Sequence, residues 1–551
     1  MSKEHKIKGE TRVWITGLGL SAGLIMTLSI LGLIFYYGLS VFWPKDVVTV
    51  NVPEELAIRD KKGTSTSFWG IEVKRVEQQI PGRSKEEKPI SVQYYTANRD
   101  AYGNSFIFVK EKQLNVSEQL DPNVMIMERE SESRAIVKPL KIVVDGKEIE
   151  ASAVNFIEEF DNAIQHAADK RHAAEELVGG ILLDIANEIK DLKVDIHKKS
   201  LAQQDVSAEE AQMKELKTRA DENAKKVNDL YEEKDKDSLT VQVNPNGMTY
   251  EMPIGEVIRY NFPNQLGTMS RLSLFFENVY EYVTAYPREA NTEGGIFPAI
   301  IGTLVMTIVM CIPVTFFGVI TAIYLHEYAK DSLVTRAVRI AINNLAGVPS
   351  IVFGAFGLGF FIYFIGSNID DFFFKDWKLA TGEPIFGTGG LLWASLTLAL
   401  MTLPVVIVST EEALSSVPHG LREGAMGCGA TKWQSIWTVI LPSATPGIIT
   451  GMILAMARGA GEVAPLMLVG VVKLAPSLPV NATSPFVHID QKFMHLGFHI
   501  YDLGFQSPDS EAAKPMVYAT TLFLILTVTG LNLAGIIIRQ RLKKRFATGA
   551  F

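Results

Sequence analysis

Cysteine is almost absent: the 551-residue chain has two, Cys311 in an apolar stretch and Cys428 in a polar loop. A disulfide between them is not expected, and the long polar segment ahead of them has no thiol to staple it. No G-x-x-x-x-G-K-[ST] phosphate loop occurs anywhere, so the chain is not expected to hydrolyse nucleotide itself. No catalytic constellation emerges either, and no enzymatic activity, cofactor or nucleic-acid partner is expected. His488, His495 and His499 are the nearest approach to a metal set. No acidic or cysteine ligand accompanies them at a convincing interval, so no metal is expected.

What the chain has instead is long uncharged apolar runs, too many for buried core helices. Six stand out, at about 13–43, 296–325, 345–366, 391–409, 446–472 and 516–538, each near or above the ~20 residues that cross the hydrocarbon. The first is far longer than the apolar part of a signal peptide and no small-residue cleavage pattern follows it, so it reads as an uncleaved anchor. Basic residues set the orientation. Lys3, Lys6, Lys8 and Arg12 precede the first run, and Arg539, Arg541, Lys543, Lys544 and Arg545 follow the last, which places both ends on the cytoplasmic side. Lys330, Arg336, Arg339, Arg422 and Lys432 then fall inside, and the segment from about 45 to 294 falls outside.

That external segment reads as one α+β domain. Strand-like text at 47–52, 91–96 and 105–109 precedes a hairpin, 141–149, with Asp145-Gly146 at its turn. Leu177, Ile181, Ile185, Ile189, Leu192 and Ile196 then recur on one helical face. Ser207-Ala-Glu-Glu210 reads as a capping box opening a second helix with the stripe Met213, Leu216, Ala220, Ala224, Val227 and Tyr231. The two stripes predict an antiparallel helical hairpin closed by the turn at 199–206, with a further strand hairpin at 239–250 turning on Asn246-Gly247. The charge run at 209–237 reads as a solvated helix face. Downstream, 272–283 forms an amphipathic aromatic helix suited to the membrane interface or to packing on neighbouring spans.

Between the fourth and fifth runs lies a loop with fixed spacing: Glu423-Gly424-Ala425, three residues, Gly429, nine residues, then Val439-Ile-Leu441-Pro442. This resembles the EAA loop of the membrane subunits of ABC importers, a pattern of E-A-A, three residues, G, nine residues and I-x-L-P, with Gly424 in place of alanine. Gly302-Thr303, Gly347-Val-Pro-Ser-Ile-Val352, Leu403-Pro404 and Thr410-Glu-Glu412 narrow the resemblance to the phosphate permeases of the Pst system. Ala457-Arg-Gly-Ala-Gly-Glu462-Val-Ala-Pro-Leu466 is similar to the PstA type rather than the PstC type, with Val463 where threonine is usual. The resemblance covers about 290–540 and the first span, and leaves the external domain without an inherited role.

The resemblance implies a type I ABC importer permease fold of six transmembrane helices, here with the α+β insert and its helical hairpin. The expected layout is a cytoplasmic N-terminus and first span at 1–44, the insert at 45–290, a five-helix core at 291–542 with its coupling loop at 411–442, and a basic tail at 543–551. It further implies that Glu423, Gly424, Ala425, Gly429, Leu441 and Pro442 build a knob docking in a separate ATPase. A short helix to Gly427, a break at Gly429 and a second helix ending at Pro442 would make that knob; a purely structural helix-turn-helix is the alternative. Glu411 and Glu412 read as helix-end and docking residues. The partners implied are a PstC-type sister permease, an ATPase dimer, a periplasmic phosphate-binding protein, inorganic phosphate and membrane lipid.

Arg458 falls about twelve residues into the fifth run, roughly 18 Å along a helix and near mid-bilayer. An unpaired charge there costs at least ~2.5–3.5 kcal/mol. Glu462, four residues on, is placed to pair with it, and Gly459 and Gly461 between them allow close backbone approach. A guanidinium fork matches phosphate oxygens, so a place on the translocation path is expected, against the alternative of a static pair joining helices. Three functions remain open at this level: a phosphate permease, a permease for sulfate or molybdate, and a membrane sensor or scaffold whose external domain does the work.

Overall fold

The structure is a computed structural model and describes residues 11–548 apart from 54–57, 61–62, 78–89, 114, 117–119, 133, 482–484 and 508–509. Lys3, Lys6 and Lys8 lie outside the described residues. Six helices are long and apolar enough to cross a membrane: Trp14–Ser40, Phe297–Tyr328, Ser350–Phe373, Leu391–Ser415, Lys432–Gly461 and Ala513–Lys544. They are called the first to sixth spans. The fourth is the most enclosed, with 67% of its apolar window buried, whereas the first has none of its window buried. Met306, Met310, Leu398, Met401 and Ala455 form the centre where the second, fourth and fifth spans meet. Glycine permits that closeness. A Cβ on Gly451 would lie 1.8 Å from Ser409 Oγ, and one on Gly447 2.4 Å from the Ala413 Cβ, the small-residue packing by which helices associate in lipid.

The fifth span departs from the expected limits at both ends. It begins at Lys432, inside the loop, and continues through Pro442 instead of ending there. Proline lacks the N–H that closes the preceding turn, and the chain absorbs this in a wider π turn at Ile436–Ile440 just before it. At the other end the helix stops at Gly461. Glu462 is extended (φ −84°, ψ 133°), and the chain makes only one further turn, Leu466–Val469, before Gly470.

Between the first and second spans the chain builds two larger antiparallel sheets, beside two two-stranded ones (Ile58–Asp60 with Gly63–Ser65, and Pro287–Arg288 with Glu293–Gly294). One has the order Phe106–Lys110, Ile90–Tyr95, Ser67–Glu77, Val48–Asn51, Asn115–Val116. The other runs Thr249–Pro253, Ser238–Gln242, Ala135–Val144, Met125–Arg129, Val257–Asn261, with Lys147–Glu150 also paired to Ala135–Val144. Both expected hairpins form. Asp145 and Gly146 take positive φ (49° and 79°), as a tight mirror-image turn requires, and Gly247 does so at the second tip (φ 90°).

The helical pair also forms, with Ile185, Leu192 and Leu216 buried at its seam beside Ile189, Ile196, Met213 and Ala220. Its first arm starts at Phe156, well before the expected Leu177, and runs to Leu201 through a π segment at Leu177–Leu182. The upstream turns bury alanines, Ala163, Ala167 and Ala174, beside Phe156 and Phe160; a stripe so poor in large residues carries little hydropathy signal. The capping box does not form. Ser207 turns back to Asp205, which accepts from the Ser207 backbone N–H at 3.0 Å and from its hydroxyl. The hairpin leans on the permease through Lys190 and Glu383, 3.0 Å apart and well exposed.

A buried ionic junction ties the insert's sheet to the helix that packs on the spans. Glu128 accepts two hydrogen bonds from Arg259 at 2.9 Å and one from Arg288 at 3.0 Å, with Arg134 also paired to it. Arg259 and Arg288 reach on to Glu281 at 2.6 and 3.2 Å. Glu281 belongs to the amphipathic helix, Thr268–Thr284. That helix packs on neighbouring spans, one of the two expectations for it: Tyr282 packs on Phe42 and Phe523, and its hydroxyl lies 2.7 Å from Thr520 of the sixth span. On the opposite face Met269, Phe276 and Tyr280 are bare.

Burial alone would raise the Glu128 carboxyl, but Arg134, Arg259 and Arg288 hold it down to about 2. Because this lies below the unfolded glutamate value of about 4.3, the junction's contribution is complete above that pH and is lost as pH falls toward 2. Glu128→Gln takes the buried carboxylate from Arg134 and leaves Arg259 and Arg288 to share Glu281, and is expected to cost about 3 kcal/mol. Thermal unfolding of the detergent-solubilised chain at neutral pH checks this: the midpoint drops, and the drop shrinks as pH is lowered. An unchanged midpoint would show the junction to be energetically idle.

Candidate translocation and coupling sites

Arg458 lies in the last turn of the fifth span, and Glu462 caps the helix from outside it. Sequence spacing placed both on one helical face; the structure pairs them, Nε to Oε1, at 3.8 Å across the point where the helix ends. Their level is nonetheless central. Gly459 abuts Met310, whose Sδ would be 2.6 Å from an added Cβ, and Met310 stands near the middle of the Phe297–Tyr328 helix. Gly461, by contrast, has nothing within 4 Å of its Cβ position, so only one of the two glycines serves close approach.

The pair is loose. A separation of 3.8 Å exceeds hydrogen-bond reach, so the guanidinium is held by charge without its N–H groups being used up by Glu462. The two side chains are 36% and 26% exposed. Leu454, Arg458 and Gly461 follow one another at helical spacing on the same face, Leu454 being 54% exposed. The chain therefore presents a strip of bare helix carrying one cation, and next to it one anion on an extended backbone.

The segment after the break is braced against the second span. Thr303 Oγ1 accepts from the Leu496 N–H at 2.9 Å and donates to the Ala299 carbonyl at 2.7 Å. A Cβ on Gly302 would meet the Met494 carbonyl oxygen at 2.0 Å. Asp502, buried, lies 3.1 Å from Lys473 and accepts from Asn291 Nδ2 at 3.1 Å; sequence patterns gave no sign of this cluster. The three histidines do not converge on a site: His488 hydrogen-bonds Asn481 at the surface, 2.8 Å away, while His495 and His499 are buried. Among the described residues no group of His, Cys, Asp and Glu is arranged to hold a metal.

The loop with EAA spacing is a helix, a turn and a helix. Its first helix, His419–Gly427, carries Glu423, Gly424 and Ala425. Gly429 takes φ 88°, a conformation that side chains rarely adopt, and its Cβ position is open to solvent. Thr431 and Gln434 form a reciprocal capping box that starts the next helix. Leu441 and Pro442 lie at the join between the π turn and the rest of the fifth span, half-buried, rather than on the knob itself. Leu421, Met426, Trp433 and Trp437 are exposed around it.

Sequence reading missed what holds this loop. Glu327, at the end of the second span, lies 3.4 Å from Arg422, and its carbonyl accepts from Lys432 Nζ. Lys432 also sits 4.8 Å above the Tyr328 ring. Arg339 of the Leu333–Leu345 helix holds Glu411 at 3.1 Å, while Glu412 stays exposed. The one available signal was a charge, Glu327, directly after an apolar run.

Residues 314–548 match the family model "Binding-protein-dependent transport system inner membrane component". The chain is 37% identical over 243 residues to the phosphate transport system permease protein PstA of Mycobacterium leprae, covering 44% of this chain and 69% of that protein. It is 32% identical over 266 residues to the probable ABC transporter permease protein YqgI of Bacillus subtilis, covering 46% and 81%. It is 34% identical over 206 residues to the phosphate transport system permease protein PstC of Pasteurella multocida, covering 36% and 62%. Spans, loop and relatives agree: the chain belongs to the binding-protein-dependent transport system inner membrane components, in the group of the Pst phosphate permeases, with a large additional α+β domain between its first and second spans.

Proposed function

We propose that this permease is one half of the translocation path of an ATP-driven importer of inorganic phosphate in the inner membrane of a bacterium, with both termini in the cytoplasm and the insert outside. The observation that carries the reading is Arg458, a cation in the last turn of the fifth span and level with the middle of the second, on an otherwise bare helix face and loosely held by Glu462 at 3.8 Å, in a chain whose relatives include phosphate-system permeases. A PstC-type sister subunit covers the strip formed by Leu454, Arg458 and Gly461, a periplasmic phosphate-binding protein delivers the substrate, and an ATPase dimer powers the cycle.

Chemistry follows from the pair. With no phosphate present, Glu462 balances the Arg458 charge and keeps the cost of a guanidinium in the membrane low. An arriving phosphate replaces Glu462, because the planar fork offers it two parallel N–H donors that the carboxylate does not engage at this distance. Glu462 sits on extended backbone just past the helix end, so it can move aside without unwinding a helix. When phosphate leaves, the carboxylate returns and the site resets.

Coupling runs through the loop at 411–442. Glu423, Gly424 and Ala425 on the first short helix, with Leu421 and Met426 exposed beside them, form the face that docks in the ATPase. Closure of the ATPase pushes this face. Leu441 and Pro442 pass the displacement into the fifth span, which is continuous with the loop, and Glu327 carries it to the second span through Arg422 and Lys432.

Phosphate uptake by cells lacking other phosphate importers, with assembly followed by copurification of the ATPase, tests the path. Arg458→Lys keeps the charge and loses the fork, and is expected to assemble normally but move little phosphate; Arg458→Gln with Glu462→Gln is expected to assemble and not transport. Wild-type uptake by the double variant would make the pair purely structural. Competition with sulfate and molybdate identifies the oxyanion: neither should reduce uptake at concentrations equal to phosphate.

The coupling loop has its own test. Glu423→Lys reverses a charge on the docking face, and Gly429→Asp forces a side chain into a positive-φ backbone at a cost of about 1 kcal/mol or more. Each is expected to abolish phosphate-stimulated ATPase activity or ATPase attachment while the chain still inserts. Survival of both uptake and ATPase stimulation in the two variants would remove the loop from the coupling route.

A further inference from the structure

A cavity of about 760 Å³ lies where the insert meets the outer ends of the first and sixth spans. That is the volume of a small-molecule site, and neither transport nor ATPase coupling uses it. Its wall on the membrane side is aromatic and bare: Tyr36, Tyr37 and Trp43 of the first span's end and Tyr518 of the sixth are 68%, 46%, 41% and 42% exposed while lining it. Rings at helix ends mark headgroup depth, so the cavity opens sideways onto the lipid at the level of the headgroups.

Its inner wall is charged. Seven basic and four acidic side chains line it, an excess of three positive charges. Each acid already has a partner in the same wall: Glu128 and Glu281 meet Arg134, Arg259 and Arg288 of the ionic junction, Glu289 lies 3.5 Å from Arg99, and Glu293 accepts from the Arg134 backbone N–H at 2.9 Å. The Nε groups of Arg134 and Arg288 are buried without a hydrogen-bond acceptor. Lys45 follows the first span, Lys514 begins the sixth, and Lys74 lies on the strand Ser67–Glu77 above them. A ligand suited to this space carries a negative head for the basic inner wall and an apolar part for the aromatic mouth.

We propose that the cavity binds the headgroup of an anionic phospholipid from the leaflet on the insert's side, its acyl chains leaving past Tyr36, Tyr37 and Tyr518. The division of the cavity into an aromatic membrane side and a basic inner side selects a lipid over a free anion, since free phosphate has no use for the aromatic mouth. The lipid then adds to the hold between insert and spans beside the Glu128 junction.

The test is native mass spectrometry of the full-length chain assembled with its partner subunits, equilibrated with equal amounts of phosphatidylglycerol and phosphatidylcholine. Phosphatidylglycerol should be retained at least tenfold over phosphatidylcholine. The triple variant Lys45→Gln, Lys74→Gln, Lys514→Gln should lose that retention more than tenfold, a basic residue near an anionic lipid being worth about fivefold. The matched variant Lys214→Gln, Lys217→Gln, Lys225→Gln, which removes three exposed lysines from the helical hairpin, should keep it and so controls for global charge and folding. Equal retention of the two lipids, unchanged retention in the first triple variant, or displacement of the lipid by excess inorganic phosphate would each overturn the proposal.

Discussion

Hydrocarbon offers no water to an unpaired backbone N–H or C=O, and each one left bare costs several kcal/mol. Six helices are the response to that constraint here, and it also makes the exception conspicuous. The fifth span gives up its helix at Gly461, level with the middle of the second span, and continues as the extended residue Glu462. Irregular backbone at such depth is tolerated only where protein or water covers it. The bracing of Leu496 on Thr303 and of Met494 on Gly302 supplies protein on one side. The other side carries Arg458 and Glu462, both partly exposed in the isolated chain. We propose that a helix break and a charge pair at one depth answer to one requirement, a polar passage.

The same economy of charge governs the two ends of the molecule. On the insert's side Glu128 gathers three arginines and ties the insert's sheet to the helix Thr268–Thr284, which packs on the first and sixth spans. At the other end Glu327 gathers Arg422 and Lys432 and joins the loop to the second span. In each case one glutamate draws basic groups from separate segments, Glu327 holding Arg422 by its carboxylate and Lys432 by its backbone carbonyl, so displacement of one segment is felt by the others. The spans between them are tied mainly by glycine contacts and dispersion, with a few hydrogen bonds such as Ser395 to the Met306 carbonyl and Arg539 to Thr450.

Much of this was legible in the sequence, and the failures have physical causes. Hydropathy locates spans because ~20 apolar residues are a composition effect, so it finds the fifth span yet places its end at residue 472 instead of Gly461: Val463 to Val472 is as apolar as a helix without being one. The EAA-like loop was readable because its spacing is local, and Gly429 adopts the conformation its residue type favours. Asp145-Gly146 and Asn246-Gly247 turned where turn chemistry demands. The ionic junction was invisible because Arg259 and Arg288 lie 131 and 160 residues from Glu128. No pattern links them; only the pairing of Val257–Asn261 with Met125–Arg129 brings the first of them close. The first hairpin helix was read short because its upstream face is alanine.

The central claim is that the break at Gly461 borders a water-filled path and not a sealed helix contact. Gly461 accepts a side chain, having nothing within 4 Å of its Cβ position, so a single cysteine there, with Cys311 and Cys428 replaced, reports on water directly. The measurement is its reaction with a charged, membrane-impermeant thiol reagent in the assembled importer, set against a cysteine at Leu24, which is 58% exposed on the first span. The account predicts that Gly461→Cys reacts, that saturating phosphate slows the reaction, and that Leu24→Cys, facing lipid, stays inert. A Gly461→Cys protein that transports phosphate yet reacts from neither side of the membrane would contradict it.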